Sequence, residues 1–405
     1  MADSRKIAFL SYYGHQRRFF TFLADNMANR AKAILLNVYS ISFSPQFMGK
    51  FIYNMIFRGK RLNEALISEI ILFTNRKFKV RHPECNGLWL RLIEQIQRVK
   101  ALAYYQFFET YFKKNTVNLL VVWNGLPLPV AAAVAAAKRA SVKLLFCENG
   151  YLPKTVVMDP SGVNAFNSLM GKTADFYRQV KMDADKLKCI FETTLIPRQI
   201  KTRHQEKLKE MEIDLPDQYI FLPLQVHDDS QILIHSPRFK DMISLVEFCA
   251  DAVSQLNRKQ KTNYKLVVKE HPSDYRRIDY SQLRTKYQDV LFANFNNTAE
   301  LIKNSIAVIT VNSTVGIESL LYYKPVVTLG NAFYNIPGVV YPLGKAENLS
   351  DVLATVAANP SVDKELINGF LYYLRYEYLV AIDRKNLEKT DPEEAVERIL
   401  KAVNA

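Results

Sequence analysis

In Val308-Ile-Thr-Val-Asn-Ser-Thr-Val-Gly-Ile-Glu-Ser-Leu320, an apolar strand-like run stops at Asn312-Ser313-Thr314 and a helical pattern starts at once. A helix that begins directly at a strand end exposes unpaired N–H groups and carries about half a positive charge there. The hydroxyls of Ser313 and Thr314 add donors beside it, so the junction reads as an anion site with phosphate as its natural guest. Two upstream stretches have the same form: Lys265-Leu-Val-Val-Lys-Glu-His-Pro272 and Phe146-Cys-Glu-Asn-Gly-Tyr151. Open α/β sheets bind ligands outside the carboxyl ends of their strands. All three polar clusters are therefore expected to point toward one cleft.

Working outward, strands and helices alternate on both sides of these junctions. The first half reads as strands over 6–12 and 33–39, a helical and aromatic-rich stretch over 44–116, and a βαβ unit of Val117–Trp123, Leu128–Arg139 and Val142–Cys147 that closes the sheet at Glu148. The second half reads as strands over 218–226, 264–269, 290–293, 307–311 and 325–329, followed by an amphipathic helix over 392–403 that could pack on either domain. This alternation predicts an α/β protein with two doubly wound Rossmann-like domains facing a cleft. The expected boundaries are 1–173, a charged helical connection over 174–215, and 216–405 with the terminal helices. A chain of 405 residues also suits two cores better than one.

The net charge of +14 calls for an anionic partner. The chain has no dense Lys/Arg tail, zinc-finger spacing or RNA-binding aromatic signature, so nucleic acid is not expected. Cys85, Cys147, Cys189 and Cys249 are scattered, which fits reduced thiols better than a disulfide or zinc framework. No signal-type apolar segment opens the chain, and no apolar run reaches the roughly 20 residues that span a bilayer. A cytoplasmic location, peripheral on the inner face of the cytoplasmic membrane, is expected.

Each polar cluster has a chemical reading and a bland one. Lys269 and His271 end a strand, and Pro272 stops the chain from continuing in the sheet; the pair can neutralise a phosphate or carboxylate, or be an ordinary solvated strand end. Glu318, one turn beyond Thr314, can accept from a ribose hydroxyl or be a plain surface carboxylate. Glu148 follows a buried strand beside Gly150, where a tight turn or close backbone approach is permitted. It can serve as nucleophile or general base, or equally as a turn carboxylate. Asp159-Pro-Ser-Gly-Val-Asn-Ala165 reads as a polar turn. Gln225-Val-His-Asp-Asp-Ser-Gln231 holds more hydrogen-bonding groups than a connector needs. No Walker A loop, Gly-rich dinucleotide fingerprint, His-Glu-x-x-His or Gly-x-Ser-x-Gly is present, and Asp228-Asp229 lacks Asp-x-Asp spacing. A metal-free nucleotide-sugar enzyme without cofactor fits best.

Taken in order, Glu148-Asn-Gly-Tyr-Leu-Pro153, Gly162-Val-Asn-Ala165, Leu224-Gln-Val-His-Asp-Asp-Ser-Gln-Ile232, Val268-Lys-Glu-His-Pro272, Asn312-Ser-Thr-Val-Gly316 and Leu329-Gly-Asn-Ala-Phe-Tyr334 with Gly338 resemble the capsular polysaccharide β-Kdo transferases, over about residues 117–340. Among them the chain is most similar to the type that adds the first Kdo to a lipid anchor. The resemblance implies a GT-B-like fold and metal-independent, retaining transfer from CMP-β-Kdo to a phosphatidylglycerol-type lipid. Under it Lys269, His271, Asn312, Ser313, Thr314 and Glu318 hold the donor, and Asn164, Gln225, Ser230 and Gln231 hold acceptor or sugar. Retention needs a carboxylate nucleophile. Glu148 is the first candidate, with Asp159 and Asp228 in reserve. Capsule assembly proteins are possible partners.

The first 115 residues are expected to shape the acceptor site. Met48, Phe51, Ile52, Met55 and Ile56 form an apolar stripe flanked by Lys50, Arg58, Lys60 and Arg61, so the helix over 47–61 can lie on an anionic membrane surface or pack on the first sheet. Rival readings are a related transferase using CMP-sialic acid or a CDP-linked polyol phosphate, and a non-catalytic nucleotide-sugar binding subunit.

Overall fold

The computed structural model describes residues 5–27, 29–57, 64–192 and 211–404. Its strands are β1 (Lys6–Ser11), β2 (Lys32–Asn37), β3 (Leu119–Trp123), β4 (Lys143–Asn149), β5 (Thr155–Asp159), β6 (Tyr219–Pro223), β7 (Lys265–Lys269), β8 (Val290–Phe292), β9 (Ala307–Thr310), β10 (Val326–Thr328), β11 (Tyr341–Pro342) and β12 (Val380–Ala381). They form two six-stranded sheets, ordered β12-β5-β4-β3-β1-β2 and β11-β10-β9-β6-β7-β8. The chain divides accordingly: unit 1 is Met1–Ser168 with Leu379–Ala405, and unit 2 is Leu169–Tyr378. Two Rossmann-like α/β units were expected, and two are found.

Continuous apolar strands are what a sheet covered on both faces requires. In unit 2, Ile220, Leu222, Leu266, Val268 and Ile309 pack into one core, while Tyr219, Phe221, Val267 and Val308 pack into another. Alternate residues of one strand thus enter opposite cores, as the two-residue period of a strand dictates. All pairings in this sheet are parallel.

Unit 1 departs from expectation at its far edge. The sheet does not close at Glu148: β5 pairs antiparallel with β4, and β12 pairs antiparallel with β5. Thr155-Val-Val-Met supplies the β-branched residues for that extra strand. The C-terminal residues, assigned by sequence to the second domain, return to the first. The helix Glu393–Asn404 buries Ala395, Val396, Ile399, Leu400 and Val403 in the same core as Phe9, Leu145 and Val156. An amphipathic helix carries no mark of which apolar face it will meet, and here the uncovered face belonged to unit 1.

Both sheets contain a topological switch point, where the chain reverses its direction of growth. In unit 2 the chain moves from β6 outward to β7 and β8, then crosses back to lay β9 on the other side of β6. In unit 1 it moves from β1 to β2, then crosses back to β3. The loops after β6 and β9, and after β1 and β3, diverge at these points, which opens a crevice at the carboxyl ends of the strands.

Candidate functional site

The unit 2 crevice holds a pocket at the carboxyl ends of β6, β7 and β9. Lys269 and His271 enter from the end of β7, and Ser313, Thr314 and Glu318 from the turn after β9 and the helix Thr314–Leu320. Five of the residues read from sequence as donor-binding therefore line one pocket.

Local chemistry accounts for their placement. Ser313 is the N-cap of its helix, and its hydroxyl oxygen accepts from Val315 N at 3.2 Å. Its own proton remains available to an anion. The Tyr334 hydroxyl donates to Ser313 O at 2.5 Å, and a Cβ on Gly316 would stand 2.7 Å from that same hydroxyl. Gly316 is thus the residue that lets Tyr334 reach the turn, which ties the Asn312–Gly316 block to the Leu329–Tyr334 block. Burial lowers the Lys269 ammonium to about 8, partly opposed by Glu212, and Lys269 Nζ donates to Asn296 O. An ammonium that has lost hydration and gained one carbonyl is prepared for an anion.

Asn312 does not line the pocket; it sits 2% exposed beneath it. Its Oδ1 accepts from Gln225 Nε2 at 2.9 Å, its N–H donates to Gln225 Oε1 at 3.2 Å, and its Nδ2 donates to Gln231 O at 3.0 Å. Gln231 Nε2 in turn donates to Asn312 O at 3.3 Å. Gln225 and Gln231 thus fasten the loop after β6 to the loop after β9. Ser230 is buried at the start of a short helix capped by Asp229, and Asp228 is buried with Arg277 Nη2 3.9 Å away.

In unit 1, Glu148 lies at the end of β4. Its Oε2 accepts from Asn124 Nδ2 at 3.0 Å and its Oε1 from Asn149 N at 2.9 Å. Gly150 is required: a Cβ there would fall 1.9 Å from Thr155 Oγ1. Asp159 is 1% exposed and takes three hydrogen bonds, from Ser161 N (2.7 Å), Ser168 N (2.8 Å) and Ser168 Oγ (2.7 Å). Asn164 is buried at φ 56°, in the turn beside Tyr151.

Three groups beside these escaped the sequence reading. Asn297-Thr298-Ala299 forms the third wall of the unit 2 pocket, where Asn297 caps the helix Thr298–Asn304 by accepting from Ala299 N at 2.8 Å. The capping residue was visible in sequence; its proximity to β7 was not. His227 Nδ1 and Asp274 Oδ2 lie 2.8 Å apart, and Asp274 also accepts from His227 N at 2.6 Å, so the loop after β7 is clasped to the loop after β6. Arg384 approaches the Glu148 cluster from the loop after β12. Among the described residues no group of three or more His, Cys, Asp or Glu side chains is placed to hold a metal ion.

The profile of the family described as "Capsule polysaccharide biosynthesis protein" matches residues 177–377, which take in the whole unit 2 pocket. Over those residues, just under half of its length, the chain is similar to that family. Protein FixF of Sinorhizobium fredii is 34% identical over 287 residues, covering 70% of this chain and 66% of that protein. The capsule polysaccharide export protein KpsS of Escherichia coli is 27% identical, covering 51% of this chain and 65% of that one. The chain therefore spans just under two thirds of the length of both relatives. The β-Kdo 2,7 transferase of Thermosulfurimonas dismutans KpsC superposes with a TM-score of 0.40 at 18% identity, over 82% of this chain and 96% of that one. At that score the two-unit architecture rests on this chain's own sheets.

Proposed function

We propose that this protein is a glycosyltransferase of the capsule polysaccharide biosynthesis family that moves Kdo with retention from CMP-β-Kdo to a phosphatidylglycerol-type lipid. The observation that carries the reading is the convergence of Lys269, His271, Ser313 and Thr314 on one pocket at the switch point of unit 2, with Glu318 on its wall. These side chains hold the donor phosphate, and Glu318 accepts from the ribose. Neutralisation comes from a lysine and a histidine, so no metal ion is needed. Glu148 is the preferred nucleophile, since it is only partly buried at the end of β4, while Asp159 is 1% and Asp228 2% exposed. A Glu148 oxygen bonds to the anomeric carbon as the bond to the CMP phosphate oxygen breaks, its electron pair leaving with CMP. The acceptor oxygen then displaces Glu148, with its proton passing to a base.

The membrane side of the reading is supported by the helix Pro45–Phe57. Phe47 and Asn54 face inward, against Tyr104 and Gln106, while Met48, Ile52, Met55 and Ile56 are all at least 39% exposed. Phe43, Phe57, Leu88 and Trp89 are exposed as well. Large apolar side chains gathered on one exposed helix face are where a membrane or partner docks. Arg58, Lys60 and Arg61 lie outside the described residues. No described helix is long and apolar enough to cross a membrane.

Calorimetry with CMP tests the donor site. A charge-assisted hydrogen bond contributes about 1.5–3 kcal/mol, so His271→Ala, and Ser313→Ala with Thr314→Ala, should each weaken CMP at least several-fold. Unchanged affinity in folded variants would remove this pocket from the reading.

A further inference from the structure

The switch point of unit 1 carries a second polar cluster, built from the ends of β1, β3 and β4 and from the returning C-terminal segment. Trp123 ends β3 with its ring buried, and the Arg384 guanidinium carbon lies 3.9 Å from the ring centroid. Arg384 Nη1 donates to Asn149 Oδ1, beside Glu148. Arg384 Nε is buried without a hydrogen-bond partner. Burial weighs against the charge on Arg384, while the Glu148 carboxylate favours it. His15 packs edge-on against Trp123, and burial followed by Arg384 lowers its pKa below the ordinary histidine value, which favours the neutral ring at pH 7.

A guanidinium in this setting is costly for the fold alone. Its charge is partly desolvated, one of its donors is orphaned, and its plane is held against an indole. That plane presents a fork matched to a planar carboxylate. With His15 neutral, the cluster offers one cation, which suits a single negative charge better than a doubly charged phosphate.

We infer that Arg384 is the cation of a carboxylate subsite in unit 1, and that its ligand is a sugar acid carrying the carboxylate on its anomeric carbon. The inference rests on Glu148 as the nucleophile of the proposed transfer. A carboxylate that attacks a carbon bearing another carboxylate brings two anions within a few ångströms, where they repel strongly. Arg384, adjacent to Glu148, offsets that repulsion and selects for the sugar acid, because a neutral sugar gives its half-buried guanidinium no second carboxylate to pair with beside Glu148.

Trp123 provides a direct readout. The chain has two tryptophans, and the other, Trp89, is exposed. In a Trp89→Phe background, titration with free Kdo should give a saturable change in Trp123 fluorescence. Arg384→Gln should weaken that binding at least tenfold, and Arg384→Lys, which keeps the charge but not the fork, should weaken it by less. The methyl ester of Kdo and inorganic phosphate should give no saturable change at the same concentrations. No response to Kdo, an equal response to the ester or to phosphate, or binding unchanged in both Arg384 variants would each overturn the subsite. Kdo binding by a wild-type protein that performs no transfer would sink the transferase reading and keep the subsite. Transfer that survives Arg384→Gln at full rate would sink the subsite and keep that reading.

Discussion

Glu148 and Lys269 make the most exposed claims at the level of single residues. Both Glu148 oxygens accept hydrogen bonds, from Asn124 and Asn149, so the glutamine in Glu148→Gln keeps the shape but not the nucleophile. The variant should fold and bind CMP as wild type does, yet lose transfer by several orders of magnitude, since an amide cannot form the glycosyl ester. Near-normal turnover of the variant would exclude covalent catalysis at this position. Lys269 carries a pH signature. Burial holds its ammonium near 8, well below the usual lysine value, and only the charged form attracts phosphate. CMP affinity should therefore be constant below pH 8 and fall as pH rises through it, by up to about tenfold per unit for one linked proton. Lys269→Met should bind CMP weakly with no such fall, and calorimetry between pH 7 and 9.5 checks both curves. Lys269, His271, Ser313, Thr314 and Glu318 were legible because each stands next to an apolar run that could only be a strand or a helix start. Arg384 was not, because its contact with Asn149 joins residues 235 apart and no local pattern records it.

At the scale of elements, the parallel strands were legible from their unbroken Val/Ile/Leu runs, since a strand covered on both faces has no polar side to show. β5 and β12 were missed because they are short edge strands whose partner decides their state: Val380 pairs with Val156 only once the chain has returned. The helix Pro45–Phe57 shows the same limit. Its stripe of Met48, Ile52, Met55 and Ile56 has the spacing of a buried face, yet these side chains are exposed while Phe47 and Asn54 are inside. Periodicity finds the apolar face of a helix but not what covers it. If the cover is a membrane, Ile52→Ser, Met55→Ser and Ile56→Ser together should release the protein from phosphatidylglycerol-containing vesicles in sedimentation and leave CMP affinity unchanged. Equal sedimentation of wild type and variant would return this face to another partner.

For the whole molecule, two doubly wound units follow from strand–helix alternation on either side of a charged connection, and each places its polar loops at a reversal of strand order. The unit 2 pocket lies at such a point, and the Glu148–Arg384 cluster lies at the end of β4, next to β3, whose end borders the unit 1 reversal. The return of 379–405 to unit 1 was invisible to a reading that assigns domains along the chain. Product analysis tests the proposed transfer directly. Purified protein is incubated with CMP-β-Kdo and lysophosphatidylglycerol in excess EDTA, and the lipid is examined by mass spectrometry and by NMR of the new glycosidic carbon. One added Kdo in β linkage, with matching release of CMP, is the expected result. A protein that binds CMP but yields no Kdo-lipid, yields the α-linked product, or works only after magnesium or manganese is restored would contradict it.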